Sequence, residues 1–399
     1  MDLLENTIQP YAWGSRTAIA ELRGEPVPSP GPQAELWMGA HPLAPSRILR
    51  GGVRSSLAEV LARAPEAELG PRALAEHGAQ LPFLLKVLAA EQPLSLQAHP
   101  DERQAREGFD REEAAGIARD APNRNYRDPW PKPELLCALS TFEALCGFRP
   151  AAEVVAILDA LGTPALAAVR ERLVGCSGAE GLRAAFTDLV TLPRPERGPL
   201  VDAVVAAAAR AAPGPFADAF AWTGRLAALY PGDPGVVVAL LLRPVHLAPG
   251  EALFLPAGNM HAYLHGVGIE IMASSDNVLR GGLTPKHVDV PELLRVLRFD
   301  EAPIPVVRPR QGRRGERIYE TPARRFELSR IEPPPGGFET AVWGPEILLC
   351  TEGEIAGVND GGRLALRRGS AAFVPASTGR YRLEGSGVAF RAAVPRPRP

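Results

Sequence analysis

The stretch LPFLLKVLAAEQPLSLQAHP, residues 81–100, contains two apolar runs that a short turn separates. Apolar runs of this length, bounded by turn residues, predict two β-strands. Side chains alternate between the two faces of a strand. In the second strand the leucines and the alanine therefore point to an apolar side, while Ser95, Gln97 and His99 share the other. This row of hydroxyl, amide and imidazole indicates either a strand half-exposed to water or a strand that lines a site.

Strands and helices are predicted to occupy different parts of the chain. Residues 1–50 predict short strands and loops, and the apolar run ELLCAL predicts a further strand. Residues 151–230 differ, because their alanines, leucines and charges recur at helical spacing. We interpret them as a helical insertion without catalytic chemistry. Strands return from about residue 235, and a proline-rich linker at 302–313 leads to short strands with frequent turns and a Pro/Arg tail that we expect to be disordered.

An internal repeat predicts two copies of one β unit. GEALFLPA at residues 250–257 and GSAAFVPA at residues 369–376 share Gly, Ala, Phe, Pro and Ala at a spacing of 119 residues, from Gly250 to Gly369. That spacing is too long for a solenoid repeat. His261 follows the first copy, whereas Arg380 occupies the equivalent place after the second. We therefore expect one metal site rather than two.

Composition and charge exclude several classes of function. The 399 residues are 46% hydrophobic and 23% charged, which is ordinary for a globular protein. The net charge of −2 provides no basic field for nucleic acid or for an anionic membrane. The longest apolar runs are too short to span a bilayer, and the first residues lack a secretory pattern. Four cysteines without CxxC spacing favour a reducing, cytoplasmic location.

Lysine is rare and selectively placed. The chain has 44 lysines and arginines together, and the lysines are Lys86, Lys132 and Lys286 alone. Arginine can replace neither the compact ammonium group of lysine nor its ability to lose a proton. All three lysines lie in the stretches that carry the motifs described below, which favours specific roles for them.

Four side chains from separate stretches could meet on one divalent cation. Gln97 and His99 lie on one face of the predicted strand, Glu134 begins ELLCAL, and His261 lies in GNMHAYLHG. Two imidazoles, a carboxylate and a neutral amide would leave the ion with positive charge and with room for substrate oxygens. Imidazole suits Zn, Fe, Ni and Cu, and the oxygen ligands extend the choice to Mn. The remaining histidines outside this motif are interpreted as solvated or locally hydrogen-bonded: His41, His77, His246 and His287.

A series of motifs resembles the type I phosphomannose isomerase family. In chain order they are YAWGS, ELWMGAHP, LPFLLKVL, SLQAHPD, KPELLCAL, FEALCGF, LPAGNMHAYL and ASSDNVLRGGLTPKH. The resemblance covers nearly the whole chain apart from the helical insertion and the tail. It implies a zinc-dependent interconversion of mannose 6-phosphate and fructose 6-phosphate by proton transfer through a cis-enediol. In that family the zinc ligands correspond to Gln97, His99, Glu134 and His261.

The resemblance also implies the fold class. We expect a mainly β protein with an α-helical insertion, in which a cupin-type double jelly roll of two sandwich or barrel units carries a helical domain. Residues 1–150 together with 235–312 would form a discontinuous catalytic domain, and 151–234 the helical domain. Residues 313–399 would form a C-terminal jelly roll without a metal site.

The remaining roles follow from the reaction and the family motifs. The positive charge of Arg280 could stabilise the developing enediolate. Lys86 and Lys286 resemble the phosphate-binding lysines of the family, with Ser95 as a hydroxyl donor. Binding of the non-reacting phosphate by these residues would orient the sugar.

The base that moves the proton stays open among three residues. Lys132, beside the bound cation, could lose its own proton and accept another. Glu270 is the second candidate and Asp276 the third. Many family members carry Asn-His before this lysine, whereas this chain has Trp130 and Pro131. A mechanism that routes the proton through that histidine cannot operate here.

Two other functions are compatible with the same residues. One is a cupin dioxygenase that holds Fe(II) by two histidines and a carboxylate, against which stand Gln97 and the cationic groups. The other is a non-catalytic sugar-phosphate-binding protein, which Pro131 favours and the intact Lys132, Glu270 and Arg280 oppose. For the isomerase, the expected partner is a small sugar phosphate, with no nucleic acid and no membrane, and the chain is expected to act as a monomer.

Overall fold

The computed structural model describes residues 1–176, 178–302 and 304–396. Over these residues the chain forms two large antiparallel sheets, one small hairpin and a group of helices. In chain order the strands are β1 (Asp2–Leu4), β2 (Thr7–Gln9), β3 (Glu35–Met38), β4 (Arg47–Arg50), β5 (Val53–Ser56), β6 (Phe83–Ala90), β7 (Leu96–Ala98), β8 (Glu134–Ala138), β9 (Phe142–Phe148), β10 (Leu242–Leu247), β11 (Ala252–Leu255), β12 (His261–Ala273), β13 (Leu279–Gly282), β14 (Val306–Val307), β15 (Arg310–Gln311), β16 (Glu316–Tyr319), β17 (Glu327–Ile331), β18 (Phe338–Ala341), β19 (Glu346–Asn359), β20 (Gly362–Arg367), β21 (Ala371–Val374) and β22 (Arg380–Ala393).

The helices lie mainly between β9 and β10. In chain order they are α1 (Ala18–Arg23), α2 (Leu57–Arg63), α3 (Pro65–His77), α4 (Glu102–Ala114), α5 (Ala151–Leu161), α6 (Ala167–Gly175), α7 (Gly178–Val190), α8 (Arg194–Arg210), α9 (Ala217–Leu229), α10 (Gly235–Val238) and α11 (Val290–Val296), with short 3-10 turns at Pro164–Leu166, Ala239–Leu241 and Ala376–Thr378. None of the helices in the described ranges is both long and apolar enough to cross a membrane.

The first large sheet has 11 strands, and β12 organises it. The main path runs β14–β11–β8–β12–β6–β3–β2, while β12 also pairs with β7 and β9, which in turn pair with β13 and β10. Residues from Gly266 onward lie between β6 and β8. The start of β12, at His261, pairs instead with β7 and β9. One strand therefore passes from one layer of the sheet into the other.

Gly266 is the corner at which β12 changes layer. Its φ is +125°, a backbone conformation that L side chains rarely adopt. A Cβ there would lie 2.7 Å from the carbonyl oxygen of Thr141 and 2.7 Å from the ring of Phe142. Glycine therefore permits both the turn and the close approach of the β9 segment.

The central strand β6 explains why residues 81–100 dominate the fold. All eight of its residues are buried, because it has β12 on one edge and β3 on the other and packed layers on both faces. The two predicted strands are confirmed, although β7 covers only three residues. The strand is shorter than predicted because Pro93 and Pro100 lack backbone N–H groups and the pairing with β13 is bulged. Leu96 and Ala98 are fully buried against the helical region, as predicted.

The second large sheet has nine strands and repeats the arrangement of the first. The sequence repeat is confirmed in the structure, since GEALFLPA contains β11 and GSAAFVPA contains β21. The following strands begin at equivalent places, β12 at His261 and β22 at Arg380. Gly385, with φ +109°, occupies the place that corresponds to Gly266. Over the described residues each sheet is an open path of strands.

The two sheets share one apolar core. Val87 of β6 packs in the same cluster as Leu328 of β17 and Ile347 of β19, together with side chains of β12 and β21. The second sheet therefore supports the back of the strand that carries Lys86. The helices α5 to α9 pack in a separate cluster against β7 and β9.

The part of the chain after residue 302 differs from the sequence predictions in its strand lengths and in its linker. The strands after residue 313 are not all short, because β19 and β22 each have 14 residues and bend at glycines. The linker at 302–313 contains β14, which pairs in the first sheet, and β15, which pairs in the second. Since β1 also pairs in the second sheet, the three-domain division stays a prediction. The predicted disorder of the tail concerns residues 397–399, which lie outside the described residues.

Candidate metal centre and active site

Three of the predicted ligands converge in the first sheet. His99 follows β7, Glu134 begins β8 and His261 begins β12. The Nε2 atom of His99 lies 3.3 Å from Oε1 of Glu134, and Nε2 of His261 lies 3.5 Å from Oε2. One ligand atom from each residue lies within 4.8 Å of the others. All three residues are at least 97% buried, so the cluster is an internal site rather than a surface group of charges.

The histidines are oriented with Nε2 toward the cluster. Nδ1 of His99 lies 2.8 Å from the carbonyl oxygen of Asn277, and Nδ1 of His261 lies 3.1 Å from that of Asn259. A proton on each Nδ1 would donate to these carbonyls and leave Nε2 as a free acceptor. Both Nε2 atoms are buried without a hydrogen-bond partner among the described residues. Such atoms are costly unless they are satisfied, and a bound cation would satisfy them.

Gln97 lies beside this cluster. In the strand pairing it stands opposite His261 of β12 on one edge of β7 and opposite Arg280 of β13 on the other. Gln97 is therefore a cross-strand neighbour of His261, and its amide is the predicted neutral oxygen donor. The donor set of two imidazoles, a carboxylate and an amide fits a divalent metal ion such as zinc.

The charges around the cluster favour an ionised carboxylate and neutral imidazoles. Burial lowers the pKa of His99 to about 4, against the opposing effect of Glu134. Burial alone would raise the pKa of Glu134, but Lys132 and His99 lower it well below its usual range. The Nζ atom of Lys132 lies 3.0 Å from Oε1 of Glu134. These are the protonation states that metal binding requires.

The three candidate bases have different surroundings. Lys132 is 9% exposed and lies at the cluster itself. Glu270 is deeper, accepts a hydrogen bond from the hydroxyl of Tyr263, and has its pKa raised by burial although Lys86 opposes this effect. Asp276 is partly exposed and lies 3.1 Å from Nε2 of His41.

Lys86 occupies a buried ion-pair network. Its ammonium group lies 3.0 Å from Glu270 and 3.5 Å from Glu35, and 5.5 Å from the ring centroid of Trp37. Burial would lower the pKa of Lys86, but the carboxylates of Glu270 and Glu35 raise it above its ordinary value. The lysine is thus permanently charged and paired. The indole N–H of Trp37 completes the network by donating to Glu35.

A separate group of cations lies beside the metal ligands. Burial, together with the charge of Arg127, lowers the pKa of Arg280. Burial and the charges of Arg280 and Arg127 likewise lower the pKa of Lys286. Like charges that are partly desolvated together favour an anion between them. Ser95, half-buried at the entrance to β7, is the predicted hydroxyl donor on the neighbouring strand.

Comparison with known proteins gives consistent matches. The family described as "Phosphomannose isomerase type I, catalytic domain" matches residues 1–151. Mannose-6-phosphate isomerases of Salmonella typhimurium and Escherichia coli are 39% and 38% identical to this chain, over 97% of the chain and 98% of each relative. The chain belongs to the type I phosphomannose isomerases.

Solved structures of the phosphomannose isomerases share the fold. The zinc-bound holo form of a mannose 6-phosphate isomerase has a TM-score of 0.91 at 38% identity, and covers 98% of this chain and 99% of that chain. The Salmonella typhimurium isomerase bound to fructose 6-phosphate and zinc also has a TM-score of 0.91 at 38% identity, over 99% of both chains. The family and the cupin-type fold that the sequence predicted are confirmed.

Several residues of this isomerase site were missed in the sequence. Asn277 joins the metal cluster to the loop before Lys132, because its side chain contacts the backbone of Arg127 and Trp130. Tyr263 lies two residues after His261 in the same motif, and its hydroxyl donates to Glu270. Asn277 ends the polar run SSDN of the motif ASSDNVLRGGLTPKH, and this run was the available signal. His41, interpreted as locally satisfied, is 4% exposed and faces Asp276.

Proposed function

We propose that this chain interconverts mannose 6-phosphate and fructose 6-phosphate, with one zinc ion held by Gln97, His99, Glu134 and His261. The observation that carries the proposal is the pair of buried Nε2 atoms of His99 and His261, which have no hydrogen-bond partner in the described part of the chain and converge with Glu134 beside a group of cations. Relatives that cover nearly the whole chain bind zinc and fructose 6-phosphate. When bound, zinc would polarise the sugar carbonyl and the neighbouring hydroxyl.

The phosphate would be held by the cations next to β7. Arg280, Lys286 and Arg127 lie close enough to perturb one another, and a phosphate would neutralise them. Ser95 would add a hydroxyl from the adjacent segment. The predicted phosphate role of Lys86 is disfavoured, because a phosphate at its ammonium would meet the carboxylates of Glu35 and Glu270. We also propose that Arg280, which pairs opposite Gln97, stabilises the developing enediolate.

The proton moves between adjacent carbons of the sugar. A base removes it from the carbon next to the carbonyl, the cis-enediol forms, and the proton is returned to the former carbonyl carbon. We propose Lys132 as this base, because its amine is the candidate group that lies at the cluster. It must give up its own proton before it can accept that of the sugar. Glu270 is bound by Lys86 and Tyr263, and Asp276 by His41.

The proposed function is tested by metal analysis together with a coupled assay. The purified protein is expected to contain about one zinc per chain and to form fructose 6-phosphate from mannose 6-phosphate. Chelation should abolish turnover, and zinc should restore it. Metal-bound protein that binds the sugar phosphate without turning it over would favour the non-catalytic alternative that Pro131 suggests. Oxygen consumption that depends on ferrous iron would favour the dioxygenase.

The base is tested by substitution. Lys132→Met should remove most of the turnover while zinc stays bound, and the matched variants Glu270→Gln and Asp276→Asn should retain more. A near-normal rate in Lys132→Met would eliminate Lys132 as the base and leave Glu270 as the next candidate.

Two finer properties complete the proposal. We propose that the chain acts as a monomer, since every residue named in the site comes from one chain. We also propose a cytoplasmic location, which the unpaired cysteines Cys137, Cys146, Cys176 and Cys350 support. Elution as a larger species in size-exclusion chromatography with light scattering would contradict the first of these.

A further inference from the structure

The loop that carries Lys132 has few backbone anchors of its own. Pro129, Pro131 and Pro133 supply no N–H groups, so this segment cannot be held by regular pairing. The carbonyl oxygen of Trp130 accepts hydrogen bonds from the Ser275 hydroxyl and from the Asn277 side chain, at 3.1 and 2.9 Å. Lys132 follows two residues later. On the other side of Lys132 the carbonyl oxygen of Pro133 accepts a hydrogen bond from Ala273, at 3.2 Å. Lys132 is thus held between two anchors, and one of them is Trp130.

The side chain of Trp130 is held by the second sheet. The guanidinium carbon of Arg325 lies 4.3 Å from the centroid of the Trp130 ring. Arg325 lies in the connection between β16 and β17, far from the metal ligands in the sequence. A planar guanidinium over an indole face is a favourable cation–π contact. Burial lowers the pKa of Arg325, and the acids Glu102 and Asp128 oppose this effect.

Behind the loop lies a cavity into which the loop could move. Its volume is about 900 Å³, and its lining includes Pro131, Pro133, Phe254, Arg324 and Arg325. Lys132 lies on the other side of the loop, with its ammonium at Glu134. The loop thus forms a wall between the cavity and the metal centre. Arg325 lines this cavity and also contacts the Trp130 ring, so loss of its side chain would remove a contact of the ring and enlarge the space next to the loop.

We propose that Arg325 is a positioning residue for the isomerase reaction, which it serves by holding Trp130 and, through it, the loop that presents Lys132. The inference rests on the proposed function, in which Lys132 transfers the proton. Arg325 touches neither substrate nor metal. The second sheet has no metal site of its own among the described residues. It would then contribute to catalysis by holding the Lys132 loop of the first sheet in place.

The test compares Arg325 with its neighbour. Arg325→Ala should lower kcat by about 10-fold, because a small displacement of a catalytic group has a large effect on rate. Zinc content and KM should change little. Arg325→Lys, which keeps the charge but loses the planar group, should be intermediate. The matched control is Arg324→Ala, which removes an exposed arginine from the same cavity without touching the indole, and it should behave as the wild type.

A second measurement reports on the loop without turnover. Hydrogen–deuterium exchange of a peptide spanning residues 127–138 should become faster in Arg325→Ala and stay unchanged in Arg324→Ala. Trp130→Leu should lower kcat like Arg325→Ala, and the double variant should be no slower than either single variant, because both changes remove one contact.

The outcomes separate this inference from the proposed function. A wild-type protein without isomerase activity would overturn the proposed function, and the exchange experiment would still test the contact. An active wild type with an equally active Arg325→Ala would overturn the inference alone. Losses of rate in Trp130→Leu and Arg325→Ala that multiply in the double variant would also overturn it.

Discussion

Each of the two large sheets has a buried glutamate at an equivalent position of corresponding strands. The two glutamates differ in the positive charge that balances them. In the first sheet Glu134 pairs opposite Leu255, the last residue of β11. In the second sheet Glu346 pairs opposite Val374, the last residue of the equivalent strand β21. Both glutamates are at least 96% buried. Their neighbours, however, have diverged.

Around Glu346 the chain provides its own cation. The guanidinium of Arg391 is 1% exposed, and the charges of Glu346 and Glu316 raise its pKa against the effect of burial. The hydroxyl of Tyr381 donates to Glu346 at 2.7 Å. Around Glu134, in contrast, two imidazoles present acceptor atoms that no group of the described chain satisfies. Glu346 therefore needs no bound ion, because Arg391 supplies the positive charge. The acceptor atoms around Glu134 need a bound cation.

The largest expected effect concerns the residues that begin β12 and β22. His261→Ala should abolish zinc binding and lower turnover by at least about 100-fold, since loss of a ligand should exceed the effect of losing an outer partner. Arg380→Ala changes the equivalent place in the second sheet, where the side chain is 68% exposed and paired with Glu339. That variant should keep zinc and full activity. Loss of zinc in Arg380→Ala, measured by metal analysis, would contradict the claim that only the first sheet holds the metal.

The next effect is on stability. Arg391→Met should lower the free energy of unfolding by about 3–5 kcal/mol, because it leaves buried carboxylates without their partner. Zinc content should be unchanged. The control is Arg363→Met, which removes an exposed ion pair with Glu384 and should change the free energy of unfolding much less. Urea denaturation of both variants measures the difference, and equal losses would contradict the proposed role of Arg391.

The corner glycines test whether the two units share backbone geometry. Gly266→Ala and Gly385→Ala should each cost about 1–3 kcal/mol, because φ is positive at both. A Cβ would also lie 2.7 Å from the Thr141 oxygen in the first and 2.5 Å from the Glu354 oxygen in the second. Only Gly266→Ala should also weaken zinc binding, since β12 carries His261. Thermal unfolding with zinc titration would show this.

A suitable control for the corners is Gly198→Ala, which lies in α8 with nothing near the added carbon. It should be neutral or slightly stabilising. A loss at Gly198 as large as at the corners would mean that the corner geometry is not the cause.

The smallest expected effect is a pH-dependent one at Glu346. Burial raises the pKa of Glu346, although Arg391 and the Tyr381 hydroxyl oppose this effect. When the pKa of a carboxyl is raised in the folded state, the free energy of unfolding falls as pH rises from the pKa of the unfolded chain to that of the folded state. Below both pKa values the carboxyl is protonated in both states and has no such effect. Glu346→Gln should therefore slightly increase the free energy of unfolding at pH 7, and the gain should disappear near pH 4. Destabilisation at pH 7 would show that the ionised carboxylate is needed by Arg391.

The local sequence predicted those parts of the molecule that follow from apolar runs, from the alternation of side chains along a strand and from the internal repeat. The strand β6, the polar row of Gln97 and His99, and the repeat with His261 and Arg380 all followed from spacing. The repeat could have been extended, because Gly266 and Gly268 recur as Gly385 and Gly387, at the same spacing of 119 residues. Gly266 and Gly385 are the corners of the long strands β12 and β22. Of these two strands only β22 lies in the part of the chain that was expected to have short strands.

The rest of the site depends on register between distant strands. Lys86 is opposite Glu270 on one edge of β6 and opposite Trp37 on the other, and this pairing creates the buried network. No local pattern determines which residues face each other across three strands. The contact of Arg325 with Trp130 is of the same kind, because it joins two sheets. Sequence therefore identified the members of the His99, Glu134 and His261 cluster more completely than the groups around them.

The most direct test of the account is X-ray diffraction from crystals of the zinc-loaded protein, recorded on both sides of the zinc absorption edge. The account predicts one anomalous peak per chain, bounded by Gln97, His99, Glu134 and His261, and no peak at Glu346. A peak at Glu346, or a zinc ion that binds away from His99 and His261, would contradict it.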